Sequence, residues 1–208
     1  MENLPAHNSE YELKQYWDTR YSDDKDTFDW FLSLNQCPIL TSLMLPSHSI
    51  IHLGCGNSTL PIDLYNIGYH SITNIDYSPL VISQMKERCA HMPLMTWLEG
   101  DIYDLEACIQ STGTFDIALD KGTLDALLVS KFDPWDPEQE ILDKVAIYIK
   151  QVYKQLKPGG SFLHITFVQP HFRKRFLELV PEFVITVHTL DSEKGGFDYY
   201  CYQATKPL

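Results

Sequence analysis

The sequence predicts an α/β fold: a single doubly wound sheet, parallel in its body, closed by a terminal antiparallel hairpin and preceded by a helical cover. Three observations carry this. Short apolar runs alternate with helical stretches between residues 48 and 168, the alternation that yields right-handed crossovers between parallel strands. The first run, Ser49-Ile50-Ile51-His52-Leu53, ends in Gly54-Cys55-Gly56, a backbone able to turn sharply and enter a helix without Cβ clashes. The next run ends in Asp76, 22 positions beyond Gly54, where an acid at a strand end can accept both hydroxyl hydrogens of a ribose.

Taken in order, residues 9–21 are helical in pattern, with Tyr11, Tyr16 and Trp17 among charges. Residues 27–45 form a second helical or partly irregular lead-in, broken at Pro38 and closed at Pro46. Strand 48–53 follows, then helix 58–67 ending at Gly68, strand 71–76, helix 79–91, strand 95–99, a short helix near 103–110 and strand 115–120. Residues 136–156 set Ile141, Leu142, Val145, Ile149, Val152 and Leu156 on one helical stripe, stopped by Lys157-Pro158-Gly159-Gly160. Residues 161–168 are the fifth strand, and 183–190 with 197–204, joined through Lys194-Gly195-Gly196, read as the closing hairpin. One domain over residues 1–208 is expected, with 1–46 as cover and 47–208 as core.

Composition bounds the partners. With 208 residues, 44% of them hydrophobic, the chain can bury one substantial core, and no window reaches the roughly 18 apolar residues of a membrane span. The formal charge of −12 argues against nucleic acid, whose binding needs clustered Lys and Arg, and it suits a basic protein or a cationic group instead. Arg173-Lys174-Arg175, the one basic run, reads as a solvated helix face. The first residues lack the basic flank and apolar stretch of a secretion signal, and five cysteines show no paired spacing, so a reducing, cytoplasmic location is expected. The eight histidines show no ligand spacing, so no metal is expected, and the chain is expected to be a monomer.

The cofactor is indicated by what the glycine turn lacks. A dinucleotide site carries a third glycine so that a helix N-terminus can approach a pyrophosphate, whereas here Thr59 stands in that position. A cofactor without phosphate, S-adenosylmethionine, needs no such approach. After the third run, Leu98-Glu99-Gly100-Asp101-Ile102 offers an acid and an apolar residue suited to an adenine amino group and ring face. A fourth strand end, Leu119-Asp120-Lys121, emerges at the same edge, completing a ligand crevice at the carboxyl ends of the strands.

Five alternating strands, the Pro-Gly-Gly turn and the hairpin resemble the seven-strand, Rossmann-like fold of class I S-adenosylmethionine-dependent methyltransferases. More narrowly, Tyr16-Trp17-Asp18-x-Arg20-Tyr21, Phe28-Asp29-Trp30-Phe31, Leu53-Gly54-Cys55-Gly56-Asn57-Ser58, Ile75-Asp76-Tyr77-Ser78, Asp120-Lys121-Gly122-Thr123-Leu124-Asp125-Ala126-Leu127 and Pro170-His171-Phe172-Arg173 resemble one eukaryotic family. It contains the elongation factor 1-alpha lysine methyltransferase encoded at the endothelin-converting enzyme 2 locus and the amino-terminal domain of a two-domain relative. The resemblance implies that Gly54 and Gly56 approach the methionine part of the cofactor, Asp76 holds the ribose, Tyr77 stacks near adenine, and Asp101 and Ile102 frame the base. It implies further that Trp17, Tyr21 and Trp30 touch the cofactor from a folded-over amino-terminal segment, and that Lys121 contributes from the fourth strand end. Without the resemblance those aromatics read as ordinary core.

The implied reaction is in-line attack of an amine on a sulfonium methyl, which the enzyme promotes by alignment and desolvation. The implied substrate is a protein lysine, on translation elongation factor 1-alpha; a small-molecule methyltransferase and a non-catalytic cofactor-binding protein are the alternatives. Asp120, Asp125, Asp136 and His171 are the polar candidates for catalysis, and no spacing singles out a base. Some seven-strand lysine methyltransferases carry an acid and an aromatic two residues apart at the fourth strand end. Here Asp120-Lys121-Gly122-Thr123 stands instead, so acceptor recognition uses another arrangement.

Overall fold

Seven strands form the sheet: β1 (Ile50–Leu53), β2 (Ile72–Asp76), β3 (Met95–Glu99), β4 (Phe115–Lys121), β5 (Leu156–Thr166), β6 (Val184–Leu190) and β7 (Tyr199–Thr205). The helices are α1 (Lys14–Asp23), α2 (Ile39–Leu43), α3 (Leu60–Asn66), α4 (Pro79–Arg88), α5 (Leu105–Cys108), α6 (Thr123–Leu127), α7 (Gln139–Gln155) and α8 (Pro170–Leu177). The structure, a computed structural model, describes residues 5, 7–23, 26–129, 135–190 and 198–208. Strand order is β3-β2-β1-β4-β5-β7-β6, with β1 to β5 parallel and β7 antiparallel to both of its neighbours.

This order creates the place for a site. The chain moves outward from β1 to β3 and then returns to lay β4 on the other flank of β1, a reversal that opens a crevice beyond the strand ends. Register sharpens it: Leu53 lies beside Ile75 on one side and Asp120 on the other. The next residues, Gly54, Asp76 and Lys121, therefore emerge together.

Alternation along each strand builds two cores. Ile50, Ile72, Ile117 and Leu119 face one side, where Leu60 and Leu64 of α3 and Val81, Ile82 and Met85 of α4 cover them. Ile51, Leu53, Ile75 and Ala118 face the other, against Val145, Tyr148, Ile149 and Val152 of α7. The α7 residues recur at helical spacing, which is why one stripe suffices; each buried aliphatic side chain contributes roughly 1.5–3 kcal/mol.

Several expected boundaries shift for identifiable reasons. The helix expected over 58–67 begins at Leu60, because Ser58 and Thr59 spend their hydroxyls on Asp29. The lead-in over 27–45 is helical only at Leu34–Gln36 and Ile39–Leu43. Lys157-Pro158-Gly159-Gly160 does not precede β5 but bulges within it: Leu156 pairs with Phe115, and pairing resumes at Ser161 opposite Ile117. Helix α6 was not expected as such, and the helix read at residues 173–175 is α8. The hairpin forms, while its expected link through Lys194-Gly195-Gly196 lies outside the described residues. Arg173 corrects the reading of a solvated basic face: it is buried, and Nη2 lies 2.6 Å from Asp125 Oδ1.

Candidate active site

At the crevice the strand ends and the amino-terminal segment enclose a cavity of about 310 Å³, within the range of roughly 300–1,000 Å³ typical of small-molecule sites. All ten residues expected to hold a cofactor line it: Trp17, Tyr21 and Trp30 from the cover, Gly54 and Gly56 after β1, Asp76 and Tyr77 after β2, Asp101 and Ile102 after β3, and Lys121 at the end of β4. Parallel strands deliver their carboxyl ends to one edge, which is how Gly54 and Lys121, 67 positions apart, converge.

The glycine turn is fixed by the protein itself. Gly54 has φ 58°, and a Cβ there would overlap the Thr123 side chain. Thr123 cannot withdraw, because its hydroxyl donates to Leu53 O at 2.8 Å. Gly56 has φ 50°, and a Cβ there would stand 3.0 Å from the Tyr21 hydroxyl. Both conformations disfavour L side chains.

Asp76 is buried yet faces the cavity. One carboxylate oxygen accepts from Gly56 N at 2.9 Å and the other from Ser78 N at 3.0 Å, leaving acceptor capacity on both. Burial pushes its carboxyl up to about 6; the two backbone bonds oppose that rise, and Asp18 reinforces it. Asp101 is exposed, and one of its oxygens accepts from Tyr103 N at 2.9 Å, capping the turn Ile102–Asp104.

The cover is an aromatic layer on polar anchors. Trp17 stacks on Tyr21 at 5.9 Å, meets Trp30 edge-on at 6.1 Å, and donates its indole N–H to Tyr11 O at 2.7 Å. Asp29 is the principal anchor. It accepts from the Ser58 hydroxyl, from Thr59 N and Oγ1, and from Lys121 Nζ at 2.9 Å. Burial alone would raise its carboxyl, but Lys121, Ser58 and Thr59 outweigh that and hold it below its ordinary value. Lys121 also donates to Trp30 O at 2.7 Å, so its ammonium braces the cover while the side chain lines the cavity.

Three further cavity residues had no role assigned from sequence. Arg20 is buried, with its guanidinium 4.5 Å from the Phe28 ring centre and bonded to the Tyr16 hydroxyl at 3.1 Å; among the described residues no carboxylate pairs with it. Its signal was its place in Tyr16-Trp17-Asp18-x-Arg20-Tyr21. His52 lies on the cavity floor beside Asn74, and burial pulls it down to about 4, so it is neutral at physiological pH. Phe28 gives no sequence signal beyond its motif. A buried acceptor, a buried cation with no carboxylate partner among the described residues, and aromatic walls together fit a molecule bearing a diol, a carboxylate and a flat base.

The catalytic candidates lie elsewhere. Asp120 points to the opposite face, where it accepts from Tyr148 Oη at 2.7 Å, Leu124 N at 3.0 Å and Thr123 N at 3.1 Å, with His164 Nδ1 at 3.1 Å. Burial would raise its carboxyl, but His164 and these bonds hold it below the usual range. Asp125 accepts from Thr166 Oγ1 and Arg173, both at 2.6 Å. His171 packs on Phe172 and Trp135 along α8, and Asp136 is exposed ahead of α7. None of the four lines the cavity.

Residues 46–195 match the methyltransferase domain family. EEF1A lysine methyltransferase 4 of Mus musculus is 39% identical over 175 residues, covering 83% of this chain and 68% of its own length. The Bos taurus protein of the same name is 38% identical over 209 residues, covering 99% and 80%. Among solved structures, the Burkholderia thailandensis 1,6-didemethyltoxoflavin-N1-methyltransferase, crystallised with S-adenosylhomocysteine, superposes with a TM-score of 0.67 at 18% identity, covering all of this chain and 94% of that one. At that identity the likeness is one of fold.

Proposed function

The chain belongs to the methyltransferase domain family that includes the EEF1A lysine methyltransferases, and from that premise we propose that it moves a methyl group from S-adenosylmethionine to a lysine of translation elongation factor 1-alpha. The observation that carries the reading is the presence, in one aromatic-walled cavity, of buried Asp76 and of buried Arg20, which has no carboxylate partner among the described residues.

S-adenosylmethionine supplies, when bound, a methyl group activated on a cationic sulfur. Asp76 accepts the ribose hydroxyls, Tyr77 covers the adenine, and Asp101 with Ile102 frames it. Arg20 holds the carboxylate of the methionine part, beside the backbone of Gly54 and Gly56. Trp17, Tyr21 and Trp30 shut out water, which strengthens every electrostatic contact within. Lysine is cationic at neutral pH, with an ordinary pKa of about 10.4, and only its neutral form can attack. No step is assigned to Asp120, Asp125 or His171, since none reaches the cavity. The aromatic wall and the neighbouring positive charge favour the neutral amine, and solvent takes the proton.

On this reading residues 1–208 act as one unit, in the cytoplasm and as a monomer, with 1–46 closing over 47–208. The net charge of −12 favours a basic protein over nucleic acid as partner, and no described helix is long and apolar enough to cross a membrane. Incubating the protein with isotopically labelled S-adenosylmethionine and recombinant elongation factor tests the reading, with label expected on the factor and none on a small-molecule fraction.

A further inference from the structure

Among the described residues other than glycine, Phe31 alone has a positive φ, 66°. A bulky aromatic rarely adopts that conformation unless its surroundings impose it, and such imposed strain gathers at functional positions. Here two neighbouring contacts constrain the segment. Lys121 grips Trp30 O at 2.7 Å, and Gly122 leaves just enough room, since a Cβ there would lie 3.3 Å from Trp30 Cβ and 3.5 Å from the Phe31 ring.

The result is that the Phe31 ring stands immediately outside Trp30, which lines the cavity. It meets Phe167, just past β5, at 5.4 Å and Tyr199, at the start of β7, at 6.0 Å. Phe167 is 48% exposed, while Phe31 and Tyr199 are half-buried. Three aromatic rings from three separate segments thus continue the aromatic wall from the cavity to the surface.

We infer that Phe31, Phe167 and Tyr199 form an aromatic rim beside Trp30 against which the aliphatic stem and amine of a protein lysine pack as it reaches the cavity; this rests on the function proposed above. The strained backbone at Phe31 holds its ring between Trp30 of the cavity wall and Phe167 at the surface. Ring faces suit both parts of the acceptor: they pack against methylenes, and they attract the cationic amine on arrival. The rim also stands beside the fourth strand end, which lacks an acid-x-aromatic motif.

Phe167→Leu and Phe31→Gly test it, the second relieving the left-handed strain while removing the ring. Both are expected to bind S-adenosylmethionine as the unmodified protein does by calorimetry, and to lose about 10-fold or more in kcat/KM for recombinant elongation factor. Phe167→Tyr, which keeps the ring, is expected to retain activity. Unchanged kcat/KM in both variants, or a fall in cofactor affinity that matches the fall in turnover, overturns the acceptor role of the rim and leaves the proposed function intact. No methylation by the unmodified protein overturns both together.

Discussion

Lys121 reaches across 92 positions of sequence to place its ammonium 2.9 Å from Asp29, joining the end of the fourth strand to the segment that covers the cavity. Asp29 in turn holds Ser58 and Thr59 at the head of α3. One ion pair therefore ties together the cover, the glycine turn and β4, three parts that share no local contact in sequence.

Replacing Lys121 by Met leaves Asp29 without its cation, and removing one partner of a buried pair costs on the order of 3–5 kcal/mol. Asp29 is 19% exposed, so the lower end of that range is expected. The loss should appear as loosening of the cover, seen in the fluorescence of Trp17 and Trp30, and as a fall of about 10-fold in S-adenosylmethionine affinity. The same link gives an acid limit. A carboxyl held below its ordinary value in the folded state stabilises above the unfolded value of about 3.9, and that stability is lost as pH falls further. Tryptophan emission followed from pH 5 to pH 3 checks it.

Asp76 predicts the opposite sign in a different window. Its carboxyl is raised to about 6, so the unliganded protein holds that proton more tightly than the unfolded chain and this group makes folding more favourable as pH falls toward 5. A ribose diol needs the ionised form, so cofactor affinity should rise as pH increases through about 6. Asp76→Asn should abolish that dependence and weaken binding by about 10- to 100-fold, from the roughly 1.5–3 kcal/mol of a hydrogen bond to a charged group. Calorimetric titration from pH 5 to pH 8 separates the two proteins.

Much of the fold was legible because its parallel strands are short, apolar and separated by turn residues, and the cavity followed because such strands end at one edge. Period-two alternation also explains what the candidate catalytic residues do. Ile117 and Leu119 face the core beneath the cover, and Lys121, on the same face at the strand end, lines the cavity, while Ala118 and Asp120 turn toward α7. That pattern was available in the sequence, but a polar residue at a strand end looks equally functional on either face. Asp29, Arg20 and Arg173 were not legible, because their roles depend on partners 48 to 92 positions away or on the absence of one. Gly54 was legible as a tight turn, although its overlap with Thr123, 69 positions on, was not.

Arg20 carries a separate expectation. Arg20→Met keeps an unbranched apolar stem and removes the guanidinium that lies over Phe28, and loss of a charge-assisted contact to a carboxylate should weaken S-adenosylmethionine binding by about 10-fold or more. A cofactor analogue lacking the carboxylate should bind the variant and the unmodified protein alike. A variant that still binds the full cofactor tightly would assign the carboxylate to another group.

Peptide mass spectrometry on recombinant translation elongation factor 1-alpha, after incubation with this protein and S-adenosylmethionine, tests the central claim most directly. One lysine-containing peptide is expected to gain one, two or three methyl groups, with the gain abolished by Asp76→Asn and slowed by added salt as electrostatic steering toward the acidic chain is screened. A factor that emerges unmodified while a small amine in the same mixture is methylated would contradict it.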